Sequence, residues 1–347
     1  MFTTLLIAAT YLGRITEYIV LGIPAERVGE IILLLLPAIL VKTFAMSTLL
    51  AALLAFGRLS GDSEIVALRA AGASLWRILF PVVLFASASA AIAFLCNERL
   101  VPAAAKRSTA IAKEVSTQLK GKSDQPISQP QIENGRVTMM ITAREFSLAQ
   151  RALRGVTLVL YGRDDEPTYY IYARQLIFRK KDDWRMDGGG EILSRDGRTH
   201  LTFADAWPTD VPMISATPEQ LAASGVNDPD FNSMAELRAQ IDEARRAGTL
   251  TPKEIRNREY WYWNKLALPL AALMFGALGG ALGIRSARTG TATGFALAVA
   301  ILFGYLTLGQ FMNTIAMGGA IPAWLASFTP IVLGALATVV VTARKNR

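Results

Sequence analysis

Few side chains in this chain could carry chemistry, and those that could are charges. A single cysteine, Cys96, lies in an apolar run, and a single histidine, His200, lies in a Thr-His-Leu-Thr-Phe strand pattern. That inventory excludes the usual zinc sites and argues against a Ser-His-Asp triad. No metal site is expected. Cys96 can form no internal disulfide, and nothing near it would favour a reactive thiolate. No Gly-x-x-x-x-Gly-Lys-Ser/Thr string occurs, so no phosphate-cradling loop is encoded. What remains is electrostatics in two places. One is a short polar stretch, Gly57 to Ser74, in which Glu64 and Arg69 stand out. The other is the set Arg14, Glu17 and Lys42, which interrupts apolar runs. A charge at the centre of a membrane helix costs about 2.5–3.5 kcal/mol, so each needs a reason. Snorkelling toward the interface, or an Arg14–Glu17 pair at helical spacing, is the plain one.

Composition says what positions these groups. Of 347 residues, 52% are hydrophobic and only 18% charged, where a soluble domain carries about 25% charged. Mean hydropathy is +0.32. The charges concentrate between residues 101 and 257, so membrane spans are expected at both ends and a soluble domain between them. The net charge of +8 is modest. Basic residues of the middle region are roughly matched by acids, which argues against nucleic-acid binding.

Residues 2–21 are apolar enough for a first span, about 20 residues being needed to cross the hydrocarbon. They lack the basic start and small-residue cleavage site of a signal peptide. Gly22 to Arg27 reads as a turn. The run from Val28 to Phe56 is roughly 43 Å of helix, longer than the ~30 Å core. Pro37 is expected to divide it into a surface helix, 25–36, and a second span, 37–57. The polar stretch then reads as a short helix over 60–73. Ser60 can cap it, Asp62 and Glu64 place acid in its first turn, Gly72 stops it, and Ser74 can cap the next helix. Ile65, Leu68 and Gly72 share one face, with Glu64 and Arg69 beside it. A third span runs over 75–95, followed by Pro102 and a helical tail to Leu119.

Residues 120–135 read as a polar loop. Short β-rich strings come next, at 137–141, 155–161 and 168–173. Asp-Gly at 187–188 and at 196–197 marks hairpin turns, with Trp184 and Ile192-Leu193 on intervening strands. This predicts an all-β sandwich or open jelly-roll. An amphipathic helix runs from Phe231 to about Ala247. The string Tyr260-Trp261-Tyr262-Trp263 is an interfacial aromatic belt opening the fourth span. Gly279-Gly280-Ala281-Leu282-Gly283 reads as close helix packing. Arg285 to Gly290 is a basic turn, and spans five and six cover about 293–316 and 324–341. Arg58, Arg69, Arg77, Arg285, Arg288, Arg344, Lys345 and Arg347 fall on one side, which the positive-inside rule makes cytoplasmic.

Two strings carry a family resemblance: Gly57-Arg58-Leu59 followed by Ser63-Glu64 with a small Ala-Gly end, and Trp263-Asn264-Lys265-Leu266-Ala267-Leu268-Pro269-Leu270. Both resemble the LptF/LptG permeases, the membrane subunits of the ABC transporter that extracts lipopolysaccharide from the inner membrane. The Met234-Ala235-Glu236-Leu237 segment is similar as well. The resemblance implies a membrane α-helical fold of six transmembrane helices, three plus three, with an inserted periplasmic all-β jelly-roll-like domain. The expected divisions are 1–100 with the coupling helix at 60–73, 101–257, and 258–347. It implies that Ser63, Glu64, Leu68 and Arg69 form an ATPase-coupling surface. It also implies that Arg14, Glu17 and Lys42 are candidates to hold lipid A phosphates and core sugars. Expected partners are a cytoplasmic LptB-like ATPase dimer, a paralogous permease or second copy, LptC-like and LptA-like periplasmic bridge proteins, and lipopolysaccharide. No cofactor is expected in this chain, since ATP would be used by the partner. The termini would be cytoplasmic and the β domain periplasmic. Family members usually carry more chain, with a basic amphipathic start, before the first span, so a shortened N-terminus is expected here.

Two rival readings stand beside this one. Permeases of the lipoprotein-release or macrolide-efflux kind have four spans with the ectodomain after the first, unlike a three-plus-three layout. A membrane-anchored scaffold with a β ectodomain would need neither a coupling helix nor intramembrane cations. A membrane enzyme would need convergent acid, base or metal groups, which the sequence does not offer.

Overall fold

The computed structural model describes residues 24–118, 127–147, 150–162, 164, 166–180, 183–195, 200–203, 207, 211–214, 216–218, 229–284 and 291–346. The expected first span with Arg14 and Glu17, the 196–197 turn and the basic turn at 285–290 lie outside them. The chain divides into two units. One comprises described residues up to Ser108 with Pro229–Ile241 and Arg256–Arg347; the other comprises those of Thr109–Asp228 with Asp242–Ile255.

The first unit is helical. Helix α1 (Ala25–Gly61) is followed by a short α2 (Glu64–Ala70) and by α3 (Leu75–Leu95), which continues through a π-turn (Cys96–Leu100) into α4 (Val101–Gln118). After the β region come α5 (Met234–Ala247), α6 (Pro252–Gly283), α7 (Thr291–Gly318) and α8 (Ala323–Asn346); the residues of α4 after Ser108, of α5 after Ile241 and of α6 before Arg256 are counted to the second unit. Five helices among the described residues are long and apolar enough to cross a membrane.

Pro37 does not divide the second apolar run as expected. Helix α1 passes through it for 37 residues without a break. A proline costs its own N–H bond and crowds the carbonyl one turn back. Membrane helices tolerate this because neighbours and local adjustment satisfy the freed group.

Helix α6 is the packing axis of the unit. Its glycines form two stripes. A Cβ on Gly276 or Gly280 would meet Ala86 or Leu79 of α3, and one on Gly279 or Gly283 would meet the Leu49 or Leu53 carbonyl of α1. Only a hydrogen at those positions lets the backbones approach, which is how helices associate where water supplies no driving force. The packing role expected for 279–283 is what the structure has. By contrast, α7 presents Phe303, Leu306 and Phe311 outward, as a lipid-facing surface does.

The second unit contains one antiparallel sheet. Its strands are β1 (Ile127–Glu133), β2 (Arg136–Ser147), β3 (Ala152–Tyr161), β4 (Pro167–Lys180), β5 (Asp183–Ser194) and β6 (His200–Phe203). Each strand pairs with its sequence neighbours in the order β1-β2-β3-β4-β5-β6. A jelly-roll needs connections that cross between two sheets; the six described strands form a meander. The inward face carries Met139, Ile141, Leu158, Ile171, Leu176 and Trp184, all buried. Ile214 closes over this core, and Trp184 Nε1 donates to the Ala216 carbonyl at 3.0 Å.

Two sequence expectations change here. Strand β1 occupies part of the stretch read as a polar loop. As the sheet's first strand it tolerates Pro130, opposite Met140, because an edge strand has one unpaired side. It turns into β2 through Asn134 and Gly135, with φ of 52° and 76°, the left-handed pair of a tight hairpin. Asp187-Gly188, by contrast, is no hairpin. Asp187 pairs with Gln175 and Gly190 with Ala173, so Gly188 and Gly189 oppose Arg174 alone. Their φ values of 80° and 73° mark a bulge inside β5.

Candidate functional site

Two clusters of polar groups in the helical unit are candidates. The first is built around α2. The chain leaves α1 by a sharp turn in which Asp62 caps α1 and Ser63 takes a left-handed φ of 61°. Ser60 and Asp62 thus belong to the end of α1 and not, as expected, to the start of the short helix. Asp62 pairs with Arg58 at 3.5 Å. Gly72, with φ 86°, ends α2 as expected. The Ala73 N–H bonds the Leu68 carbonyl and the Gly72 N–H bonds that of Arg69, both at 3.0 Å, which is a Schellman stop. Ser74 Oγ then accepts from Arg77 N at 3.4 Å to open α3.

Helix α2 is therefore a seven-residue rod fixed at both ends by left-handed residues. One side chain seats it: Ile65 is 2% exposed and packs with Phe56 of α1, Leu75 and Leu79 of α3, and Ala281 of α6. Val66 and Leu68 are 64% and 47% exposed, and Glu64 is exposed too. So Leu68 does not share the buried face with Ile65, as the spacing suggested. Arg69 turns toward the end of α8, donating from its NH1 group to the Lys345 carbonyl at 3.1 Å. Lys345 Nζ in turn donates to the Ala281 carbonyl at 2.7 Å and to that of Ile284.

The second cluster lies at the other end of the same helices. From Lys42 to Gly61 is about 28 Å of helix, and from Lys265 to Gly283 about 27 Å, close to the ~30 Å hydrocarbon core. Lys265 is 2% exposed and Asn97 5%. Lys265 Nζ donates to Asn97 Oδ1 at 2.9 Å and to the Asp230 carbonyl at 2.6 Å. Lys42 Nζ donates to Asp230 Oδ2 at 2.7 Å. Both Glu98 carboxylate oxygens accept from the Met234 N–H at 3.1 Å. Asn97 and Glu98 lie in the π-turn, a single-turn irregularity that often marks functional positions.

The segment gathered here is 229–236, where the chain re-enters the helical unit. Ser233 caps α5 in a reciprocal box: its N–H bonds Glu236 Oε2 at 2.8 Å, and the Glu236 N–H bonds Ser233 Oγ at 3.2 Å. Helix α5 starts at Met234, three residues later than expected, because this box sets its first turn. Lys106 also pairs with Glu236. Burial pushes the Glu236 carboxyl up. The Lys106 ammonium and the Ser233 N–H and hydroxyl outweigh it, so its pKa is lowered overall.

Among the expected site residues, Ser63, Glu64, Leu68 and Arg69 are brought together on α2. Lys42 stands at the opposite end, joined to Asp230. Sequence alone did not single out Lys265, Asn97, Asp230, Glu98 or Lys345 as site residues. A lysine and an asparagine within apolar helices were the available signal, since polar groups at membrane depth rarely lack a role. Among the described residues no group of His, Cys, Asp and Glu could hold a metal ion.

Apolar helices of spanning length, tight glycine packing and a short helix between two of them fit a multi-pass membrane protein, with a β-sheet unit inserted in the sequence between its helices. The family model described as "Lipopolysaccharide export system permease LptF/LptG" matches residues 1–344. The chain belongs to that family, and is a transport subunit of the inner membrane rather than an enzyme. No individual curated protein matches it.

Proposed function

We propose that the chain is the permease subunit of an ABC transporter that extracts lipopolysaccharide from the inner membrane and passes it to a periplasmic bridge. An LptB-like ATPase dimer supplies the energy, and the permease works with a paralogous permease or a second copy of itself. LptC-like and LptA-like proteins receive the lipid. The expected first span completes six, both termini are cytoplasmic, and the sheet unit is periplasmic with a hydrophobic groove. The first two spans and the faces of the fourth to sixth enclose a lipid cavity; ATP binding draws the coupling helices together, the cavity narrows, and lipid moves toward the sheet.

The observation that carries this reading is the build of α2. It is bounded at both ends by left-handed residues, Ser63 and Gly72, seated by Ile65, and leaves Glu64, Val66 and Leu68 exposed. A short rigid helix with an exposed apolar pair beside a carboxylate suits a groove with a basic residue on its rim. Ser63 sets the angle of the helix and Arg69 braces it. Arg14 and Glu17 stand as lipid-binding candidates. Lys42 serves in that role only by sharing its ammonium between Asp230 and an incoming phosphate.

The test is charge reversal. With Glu64→Arg, an ATPase subunit that co-purifies with the wild-type chain is lost from the complex, together with lipopolysaccharide-stimulated hydrolysis. Undiminished co-purification would remove α2 from the mechanism.

A further inference from the structure

Beneath α2, the ends of four membrane helices meet. Ile65 enters a pocket made by Phe56 of α1, Leu75 and Leu79 of α3 and Ala281 of α6, with Val341 of α8 packed against it. Across this apolar joint runs a polar bridge. Arg69 holds the Lys345 backbone carbonyl at 3.1 Å, and the Lys345 ammonium holds the Ala281 and Ile284 carbonyls, the former at 2.7 Å. The Ala281 carbonyl lies in the last turn of α6 and that of Ile284 just past its end, where acceptors have no partner within the helix. A cation there also meets the negative end of the helix dipole. Lys345 is thus held by α2 through its backbone and by α6 through its side chain.

We propose that Lys345 is a positioning residue for energy coupling: it ties α2 to the end of α6, so that displacement of α2 is passed to the helix on which α1 and α3 are packed. This deepens the reading of α2 as the ATPase-coupling helix and rests on it. The apolar joint alone would let α2 slide, since apolar contact is non-directional. Hydrogen bonds to a fixed pair of carbonyls resist that sliding. The glycine stripes of α6 leave no slack to absorb movement, because Gly279 and Gly283 already lie against the backbone of α1.

The experiment uses the full transporter in lipid nanodiscs, with the chain as wild type, Lys345→Met, Lys345→Gln or Lys345→Arg. It measures ATPase co-purification, basal hydrolysis and hydrolysis stimulated by lipopolysaccharide. The outer face of α2 is untouched by these changes, so co-purification and basal hydrolysis stay at the wild-type level. Stimulation falls at least about fivefold in Met and Gln, the low end of ordinary coupling energies, and returns in Arg, which keeps a cationic donor. Full stimulation in Met and Gln would overturn the proposal. So would failure of both to assemble, or an Arg variant as defective as Met, since either marks a merely structural staple. A wild-type chain that captures no ATPase at all would instead sink the underlying reading of α2.

Discussion

Lys265 Nζ lies 2.9 Å from Asn97 Oδ1, with both residues almost wholly buried between α6 and the π-turn. The pair is unequal. Removing the lysine leaves a neutral amide, whereas removing the amide leaves an ammonium with one partner fewer in a buried site. Hydrogen bonds to charged groups contribute about 1.5–3 kcal/mol, and an orphaned buried charge costs more than an orphaned neutral group. Asn97→Leu is therefore expected to destabilise the protein more than Lys265→Met. The double variant should be more stable than the sum of the two losses implies, because no polar group of the pair is then stranded. Thermal unfolding in detergent for the full cycle checks this, and additive losses would show that the two side chains do not interact.

The glycines divide into two kinds, and the division predicts opposite effects of one methyl. At Gly279 an added Cβ would lie 2.7 Å from the Leu49 carbonyl oxygen, and at Gly283 2.9 Å from that of Leu53. Both neighbours are backbone and cannot rotate away. Gly279→Ala and Gly283→Ala should each cost about 1–3 kcal/mol by overpacking. At Gly304 and Gly309 of α7 an added Cβ meets nothing within 4 Å. There the substitution should gain about 0.5–1 kcal/mol from backbone entropy. Melting temperatures of the four variants, side by side, decide the matter.

This contrast also marks how far the sequence was legible. Long apolar runs announced the membrane helices, and the clustered glycines announced tight packing, because both signals are local. The Asp-Gly dipeptide at 187–188 was equally local and misleading. It encodes left-handed backbone, but a hairpin and a bulge ask for the same residues, and only the pairing of Gln175 with Asp187 separates them. Ile65 and Leu68 are likewise three residues apart on one helix. What buries the first and exposes the second is the convergence of α1, α3 and α6, set by contacts more than 200 residues apart in the chain, as from Ile65 to Ala281. The Lys265 cluster needed the return segment at 229–236, whose partners lie on three other helices and share no periodicity with it.

Glu236 gives the return segment a pH dependence with a defined sign. Its carboxyl is held below the ordinary value of 4.5, so the native state binds its proton more weakly than the unfolded chain does. The stabilisation is complete above the ordinary value and disappears as pH falls below 4.5 and through the depressed native value. Protonation would remove the acceptor from the Ser233 N–H and the counter-charge from Lys106. Amide protection at the start of α5 should therefore decline in acid, relative to that in the middle of α6. Hydrogen exchange followed by mass spectrometry across this range measures it. Glu236→Gln should show the reduced protection already at neutral pH and no further step.

Neighbouring residues of α2 should separate stability from partner binding. Ile65 is 2% exposed, in a socket shared by three helices. Ile65→Ala removes buried methyl groups from a site whose backbone is fixed by the turns at Ser63 and Gly72. About 2–5 kcal/mol is the usual cost of such a cavity, and a loosened α2 should also transmit less. Val66 and Leu68 point the other way, at 64% and 47% exposed. Truncating either to Ala removes little from the folded chain, within about 0.5 kcal/mol for a surface change. If their exposed apolar surface is what the ATPase covers, the same truncations should weaken ATPase co-purification while melting stays unchanged. Ile65→Ala should do the reverse, lowering the melting temperature first. A Val66→Ala, Leu68→Ala double variant that binds its ATPase as tightly as the wild type would leave that apolar pair without a partner and return the burden of recognition to Glu64 alone.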